Sequence, residues 1–462
     1  MDSTLRFGTD GWRAVVAREF TFANLTRMAR ATAAWLRQLG HTRPKIVLGY
    51  DGRFMGSAFA GHTAQELVRE GARVILSPAM TPTPAVSWAT QAFGAQAGIV
   101  ITASHNPAEY NGFKIKASFG GPATVEMIAA VEREVRPLEP AYQAPGGGEL
   151  VEADLTAAYL AYLESKFDLS ALKQSGLCVA HDAMFGAGQG LLSRLLGADS
   201  VHELHSVFNP GFEGIAPEPI ERNLGELRQV VPAAGLDIGI ANDGDADRIG
   251  VVDEKGRMVT SHMVMALLAR YLHQDCGISG TVLRTFATSA ILEKMGRRWG
   301  LPVETLPIGF KYIAPRFLEI PVLIGGEESG GIAVAGHICE RDGIYVGLLL
   351  LDMLHRSREK LSALVDALFS DFGPHAYHRE DVRTSRQKAI VDRFSQGWAL
   401  STIAGRRVRG TDRLDGVKHL MADAWLLVRA SGTEPVLRIY AEAPTRDEAR
   451  ALVTDTRLQL KI

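Results

Sequence analysis

The chain has 462 residues, of which 46% are hydrophobic and 22% charged, and its formal net charge is −2. This composition excludes a disordered chain, and interspersed charges of both signs exclude a broad polyanion-binding face, so neither nucleic acid nor a membrane surface is an expected partner. The length exceeds one ordinary core and predicts several domains.

The opening MDSTLRFGTDGW lacks a basic and apolar leader, so no secretory signal is expected. FTFANLTRMARATAAWLRQLG predicts a helix, KIVLGYDG a strand and turn, and GHTAQELVREGARVIL a helix running into a strand. AGIVI then predicts a buried strand ending at Ser104-His105-Asn106-Pro107, since Pro107 forbids simple continuation. The Pro- and Gly-rich PLEPAYQAPGGGE marks a first boundary, giving a domain over 1–140. GLCVAHDAMFGAGQGLLSRLLG and LDIGIANDGDADRIGVVDEKG make a second α/β unit, 141–251. GTVLRTFATSAILEKMGRRWG, VETLPIGFKYIAPRF and PVLIGGEESGGIAV make a third, 252–370, whose apolar VGLLLLDML is too short to span a bilayer. The remainder, 371–462, offers KAIVDRF, WLLVRASGTEPVLRIYAEA and TRDEARALVTDTRLQL, a smaller α+β domain built on a strand–loop–strand. Alternating strands and helices predict mixed, mainly parallel sheets in the first three domains. Cys178, Cys276 and Cys339 form no CxxC pair and suit a reducing, cytoplasmic setting.

Four loops carry candidate chemistry. Ser104 at the end of a buried strand sits where open α/β sheets present reactive groups. A serine hydrolase with His105 as base is disfavoured, because adjacent residues on an extended segment point apart and no GxSxG elbow is present. An ordinary Ser/Asn/Pro turn is the plain alternative. In Asp243-Gly244-Asp245-Ala246-Asp247-Arg248, like charges at about 4 Å repel by about 4 kcal/mol per pair at an effective dielectric near 20 unless a cation gathers them. Oxygen-only ligation points to Mg2+ or a similar hard cation. An EF-hand fails because Arg248 stands where glycine is needed and strands, not helices, flank the loop. A phosphorylated Ser104 would complete the coordination of such an ion. Gly325-Gly326-Glu327-Glu328-Ser329-Gly330-Gly331 offers a carboxylate and hydroxyl suited to sugar hydroxyls, or is simply a glycine-rich turn. Arg429-Ala430-Ser431-Gly432-Thr433-Glu434-Pro435 makes a phosphate cradle or a plain hairpin connection.

Together TASHNP with NGFK, DGDADR, GEESGG and RASGTEP, in that order and preceded by FGTDGWR, resemble the α-D-phosphohexomutase superfamily, nearest its bacterial phosphoglucomutase/phosphomannomutase branch; the likeness spans Phe7 to Glu442. The resemblance implies four domains around a central cleft, three related α/β domains and a C-terminal α+β clamp. It implies Ser104 as the phosphoserine, with Asp243, Asp245 and Asp247 holding Mg2+ against its phosphate, and Lys114 as general acid/base. Arg13 and Arg248 would stabilise charge near the transferring group. Glu327 and Ser329 would read sugar hydroxyls, and Arg429, Ser431, Gly432, Thr433 and Arg341 would grip the non-reacting phosphate. The implied reaction interconverts hexose 1- and 6-phosphates through a hexose 1,6-bisphosphate, with glucose 1,6-bisphosphate as activator. Gly331 in GEESGG and the PIGFK segment resemble phosphoglucomutases, whereas SGTEP resembles glucosamine enzymes. Glucose phosphates are therefore the expected substrates, with phosphomannomutase, dual-specificity and phosphoglucosamine mutase activities as alternatives. A Mg-dependent sugar phosphatase and a non-catalytic sugar-phosphate binding protein are the non-mutase alternatives. The sequence leaves oligomeric state open.

Overall fold

The computed structural model describes residues 5–8, 11–430 and 436–462. The expected helix over FANLTRMARATAAWLRQ spans Phe22–Gln38. Thr21 caps it by accepting from the Asn24 amide, and Leu25, Met28, Ala29, Thr32, Trp35 and Leu36 form its buried stripe.

The first sheet has seven strands: β1 (Trp12–Val15), β2 (Lys45–Tyr50), β3 (Arg73–Leu76), β4 (Ala97–Ile101), β5 (Tyr110–Ala117), β6 (Gly121–Pro122) and β7 (Glu149–Glu152). Its main order is β1-β5-β4-β2-β3-β7, parallel across β4-β2-β3-β7 and antiparallel at β4-β5 and β5-β1. The second sheet holds β8 (Val179–Asp182), β9 (Val201–Leu204), β10 (Ile238–Asn242), β11 (Ile249–Asp253) and β12 (Met258–Val259), in the order β12-β11-β10-β8-β9. The third holds β13 (Thr281–Thr285), β14 (Val303–Leu306), β15 (Val322–Gly326) and β16 (Ile332–Val334), in the order β14-β13-β15-β16.

One four-strand plan repeats in all three sheets. A central strand (β2, β8, β13) is flanked by the second (β3, β9, β14) and third (β4, β10, β15), all parallel, and a fourth (β5, β11, β16) returns antiparallel beside the third. The third-to-fourth connection is thus a loop at the carboxyl end of the parallel strands. Those three loops carry Ser104, the Asp243–Asp247 run and Glu327.

The Pro/Gly-rich stretch does not end the first sheet where a boundary at 140 was expected. The Gly146 amide bonds Arg69 O at 2.8 Å and that of Glu149 bonds Ala72 O at 3.0 Å, which lays β7 parallel to β3 as an edge strand. Likewise the second sheet reaches Val259 through β12, past the expected boundary at 251.

A single apolar core joins the second and third sheets. Its spine is the helix Gly343–Ser357, which contains VGLLLLDML and whose Asp342 cap accepts from the Ile344 and Tyr345 amides at 3.1 and 2.9 Å. The C-terminal domain has its own core beneath an antiparallel sheet. That sheet comprises β17 (Ala376–Arg383), β20 (Gly410–Asp412), β21 (Val417–Leu420), β22 (Trp425–Ala430) and β23 (Val436–Ala443), beside a small hairpin of β18 (Thr402–Ile403) and β19 (Arg406–Arg407). A narrow apolar seam of Phe286, Ala287, Ile308, Trp425, Leu427 and Tyr440 joins it to the third domain. Among the described residues no helix is long and apolar enough to cross a membrane.

Candidate active site

Ser104 leaves β4 with φ of 53°, in the left-handed region that an L-residue rarely enters. Its amide donates to Thr102 Oγ1 at 2.8 Å, and its carbonyl accepts from Arg53 Nη2 at 2.6 Å. Gly244 of the acidic loop lies so close that a Cβ there would collide with the Ser104 carbonyl oxygen, so this contact between loops requires glycine. Thr83 of the first domain fixes the same loop, donating from its amide to Asp245 O at 2.9 Å and from Oγ1 to Asp245 Oδ2 at 2.5 Å.

Across this contact Ser104 Oγ donates to Asp243 Oδ2 at 2.7 Å. Asp243, Asp245 and Asp247 are fully buried, and each offers an oxygen such that all three lie within 4.8 Å of one another. Burial and the charges of Asp245 and Asp247 push the Asp243 carboxyl well above the usual range, against the pull of Arg248 and the Ser104 hydrogen bond. Asp247 Oδ1 is buried and accepts no hydrogen bond among the described residues. A close set of oxygen donors, one of them unsatisfied and burdened by mutual repulsion, fits a hard divalent cation. β10 and β11 flank the loop as an antiparallel hairpin, as expected when the EF-hand was set aside.

Lys114 stands opposite Val100 in the β4–β5 register, and its Nζ donates to Asp245 Oδ2 at 2.8 Å and Asp247 Oδ2 at 3.2 Å. Arg248 Nε lies 4.0 Å from both Asp243 Oδ2 and Asp247 Oδ1. Arg13, on β1, donates to Asn106 Oδ1 at 2.7 Å, two residues beyond the serine. His105 corrects one expectation: because Ser104 is left-handed rather than extended, the His105 ring turns toward it, with Nδ1 3.4 Å from Ser104 Oγ. Burial and the cations Arg248, Arg13, Lys114 and Arg53 hold that imidazole neutral, well below its usual pKa. Among the described residues no carboxylate orients its ring as a hydrolase base would need.

The third loop docks on the second, with the Ile249 amide donating to Gly330 O at 3.0 Å. Arg341 bridges them: Nη2 donates to Asp247 Oδ2 at 2.6 Å and Nη1 to Glu327 Oε2 at 3.4 Å. Its methylenes pass over Gly331, where a Cβ would collide with Arg341 Cδ. Burial raises the Glu327 carboxyl to about 7, with Arg341 opposing. Ser329 is half-buried in the same loop.

The structure therefore gathers Ser104, Lys114, the three aspartates, Arg248, Glu327 and Arg341, with Arg13 adjoining. Arg341, expected to grip the non-reacting phosphate, lies between the acidic loop and Glu327. Arg429, at the end of β22, donates to Asp415 Oδ1 at 2.9 Å, and Asp415 Oδ2 accepts from the Ile308 amide at 2.9 Å, so this arginine sits at the seam with the third domain. Ser431, Gly432 and Thr433 lie outside the described residues.

Sequence reasoning missed Asp51, Arg53, Thr83 and Thr102, and the buried pair Lys116–Glu340. One signal for the first two was present: YDGR follows a parallel strand at its carboxyl end, the same edge as the recognised loops. FKIK was another, an alternation that sends two lysines to one face of a strand paired on both sides.

Family models for phosphoglucomutase/phosphomannomutase match along the chain: α/β/α domain I at 4–141, domain II at 157–256, domain III at 260–372 and the C-terminal domain at 382–459. The chain is 34% identical over 450 residues to a phosphoglucomutase/phosphomannomutase of Thermococcus kodakarensis, covering 96% of each. It is 31% identical over 448 residues to a phosphoglucosamine mutase of Moorella thermoacetica, again covering 96% of each. A crystal structure from Thermus thermophilus under a provisional phosphomannomutase name superposes with a TM-score of 0.89 at 37% identity over the whole of both chains.

Proposed function

The chain belongs to the phosphoglucomutase/phosphomannomutase family and is a phosphohexomutase, and from that premise we propose that it interconverts glucose 1-phosphate and glucose 6-phosphate through a phosphoserine at Ser104. The observation that carries the reading is the 2.7 Å approach of Ser104 Oγ to Asp243 within a buried acidic triad that also holds Lys114. Asp243, Asp245 and Asp247 would hold a hard divalent cation such as Mg2+ beside Ser104, where it would supply charge neutralisation, and Lys114 would then no longer be needed as counter-charge to Asp245 and Asp247.

In the first transfer the P–O bond to Ser104 Oγ breaks as a hydroxyl oxygen of the hexose monophosphate bonds phosphorus. Neutral Lys114 Nζ takes the hydroxyl proton. The hexose 1,6-bisphosphate then presents its other phosphate, whose bond to the sugar breaks as Ser104 Oγ bonds phosphorus, and Lys114 returns the proton to the sugar oxygen. Such transfers are governed by positioning and charge rather than covalent assistance, a role suited to Arg248 and Arg13. Glu327 accepts from sugar hydroxyls, with Ser329 beside it. Arg429, Ser431, Gly432 and Thr433 hold the remote phosphate, and closure of the fourth domain over it excludes water that would otherwise hydrolyse the phosphoserine.

Glucose is favoured by the GEESGG and PIGFK segments, which meet in space: Arg341, whose methylenes cross Gly331, lays its guanidinium over the Phe310 ring at 5.3 Å. Mannose or dual specificity is the second reading, favoured by the whole-chain match to the T. kodakarensis protein, and glucosamine phosphate the third, favoured by the M. thermoacetica relative. Incubation with Mg2+, glucose 1-phosphate and a trace of glucose 1,6-bisphosphate tests the proposal. Isomerisation supports it, released phosphate would make the protein a phosphatase, and no turnover a binding protein. A panel of glucose, mannose, glucosamine and N-acetylglucosamine phosphates then ranks the substrates by kcat/KM.

A further inference from the structure

Arg53 is fully buried and stands outside the reacting groups, yet its hydrogen bonds converge on one loop. Nη1 donates to Pro107 O at 2.8 Å and Tyr110 O at 3.0 Å, and Nη2 to Ser104 O at 2.6 Å and Asn106 O at 2.5 Å. All four acceptors are main-chain carbonyls of residues 104–110. A guanidinium supplies four such protons in one plane, which a lysine ammonium does not.

The other side of Ser104 is held by the same turn. The Ser104 amide donates to Thr102 Oγ1, that hydroxyl donates to Asp51 Oδ2 at 2.6 Å, and Asp51 Oδ1 accepts from the Arg53 amide at 3.1 Å. The peptide groups before and after Ser104 are therefore both tied to residues 51–53, and this fixes the serine at φ of 53°. That conformation aims Oγ at Asp243 and leaves the carbonyl wedged between Arg53 and Gly244. From the second domain the Phe212 ring covers the guanidinium at 5.0 Å, sealing it from water.

We propose that Arg53 is a positioning residue for phosphoryl transfer, acting through the carbonyls of 104–110 to hold Ser104 in the left-handed conformation that places Oγ against the acidic loop. The proposal rests on Ser104 being the phosphoryl carrier. A displacement of about 1 Å at a reacting group costs on the order of 10²-fold in rate. Arg53→Lys keeps the charge and loses the planar fork, so kcat per folded molecule falls about 10²-fold while KM stays within threefold. Phosphorylation of Ser104 by glucose 1,6-bisphosphate, followed by intact-protein mass, slows in the same proportion.

A role confined to stability would lower the folded fraction and leave kcat per folded molecule unchanged, so a kcat loss under tenfold in folded Arg53→Lys overturns the proposal. Should that variant not fold, Thr102→Val decides, since it removes the hydroxyl that accepts from the Ser104 amide and links it to Asp51. About a tenfold fall in kcat at constant KM is expected once the Ser104 amide loses its positioning hydrogen bond, and a fall under threefold overturns the proposal. Wild-type turnover in the same assay reports separately on the mutase reading.

Discussion

Lys116→Met tests whether the first and third domains are latched by charge. Lys116 Nζ donates to Glu340 Oε2 at 2.6 Å, with both side chains wholly inaccessible. At that separation and an effective dielectric near 20, the attraction is about 6 kcal/mol, opposed by the cost of burying both ions. Removing the lysine leaves the Glu340 carboxylate with Ser87 Oγ at 3.0 Å, the Arg341 amide at 3.0 Å and Arg341 Nε only at 3.9 Å. Breaking one partner of a buried pair costs about 3–5 kcal/mol, and that is the expected loss in stability. Replacing both, in Lys116→Met with Glu340→Gln, removes the stranded charge and is expected to recover more than half of it. Urea unfolding followed by tryptophan fluorescence measures all three variants. A Lys116→Met protein within about 1 kcal/mol of wild type, or a double variant no better than the single, would refute the latch.

Ser104→Ala is expected to abolish turnover while leaving circular dichroism and the unfolding midpoint near wild type; retained activity removes the carrier role. Asp247→Asn is expected to weaken Mg2+ dependence, so that half-maximal activity needs at least tenfold more Mg2+, and chelator treatment of wild type should stop turnover until Mg2+ is restored. Burial lowers the Lys418 pKa to about 7, where Nζ donates to Phe286 O at 2.9 Å across the seam between third and fourth domains. The unfolded lysine binds its proton up to about pH 10.4, so stability rises with pH between about 7 and 10 and is flat from this source below 7. Lys418→Met should remove that increment from the difference between variant and wild-type urea midpoints, and an identical slope in both proteins would contradict the assignment.

The candidate loops were legible because each follows an apolar strand and packs unusual polar residues into a few positions. What holds them was not. Arg53 reads as one more surface arginine until the fold carries it to carbonyls more than fifty residues away, and nothing local reports such a contact. The same holds for Lys116 and Glu340, separated by 224 residues. The reasoning on His105 assumed an extended chain, because a serine gives no hint of the left-handed conformation that a glycine would signal. The strand at 149–152 escaped notice for a related reason. Proline and glycine mark where helices and strands stop, but sheet edges accept strands from beyond such punctuation, as β7 does.

The shared strand plan also explains why the first three domains bring their loops together. In each of the first three an antiparallel fourth strand follows the third, so their connection is short and opens at the carboxyl edge of the parallel strands. Short loops held at both ends by sheet position reactive groups better than long crossovers do. The second and third domains share one core, which fixes the acidic loop relative to Glu327. The first is bound to the second through Thr83 with Asp245 and Arg53 under Phe212. The fourth keeps a separate core and meets the third through a seam of six apolar residues. Relative motion is the default where such an interface is small, and movement of the fourth domain would leave Ser104, Lys114 and the aspartates undisturbed.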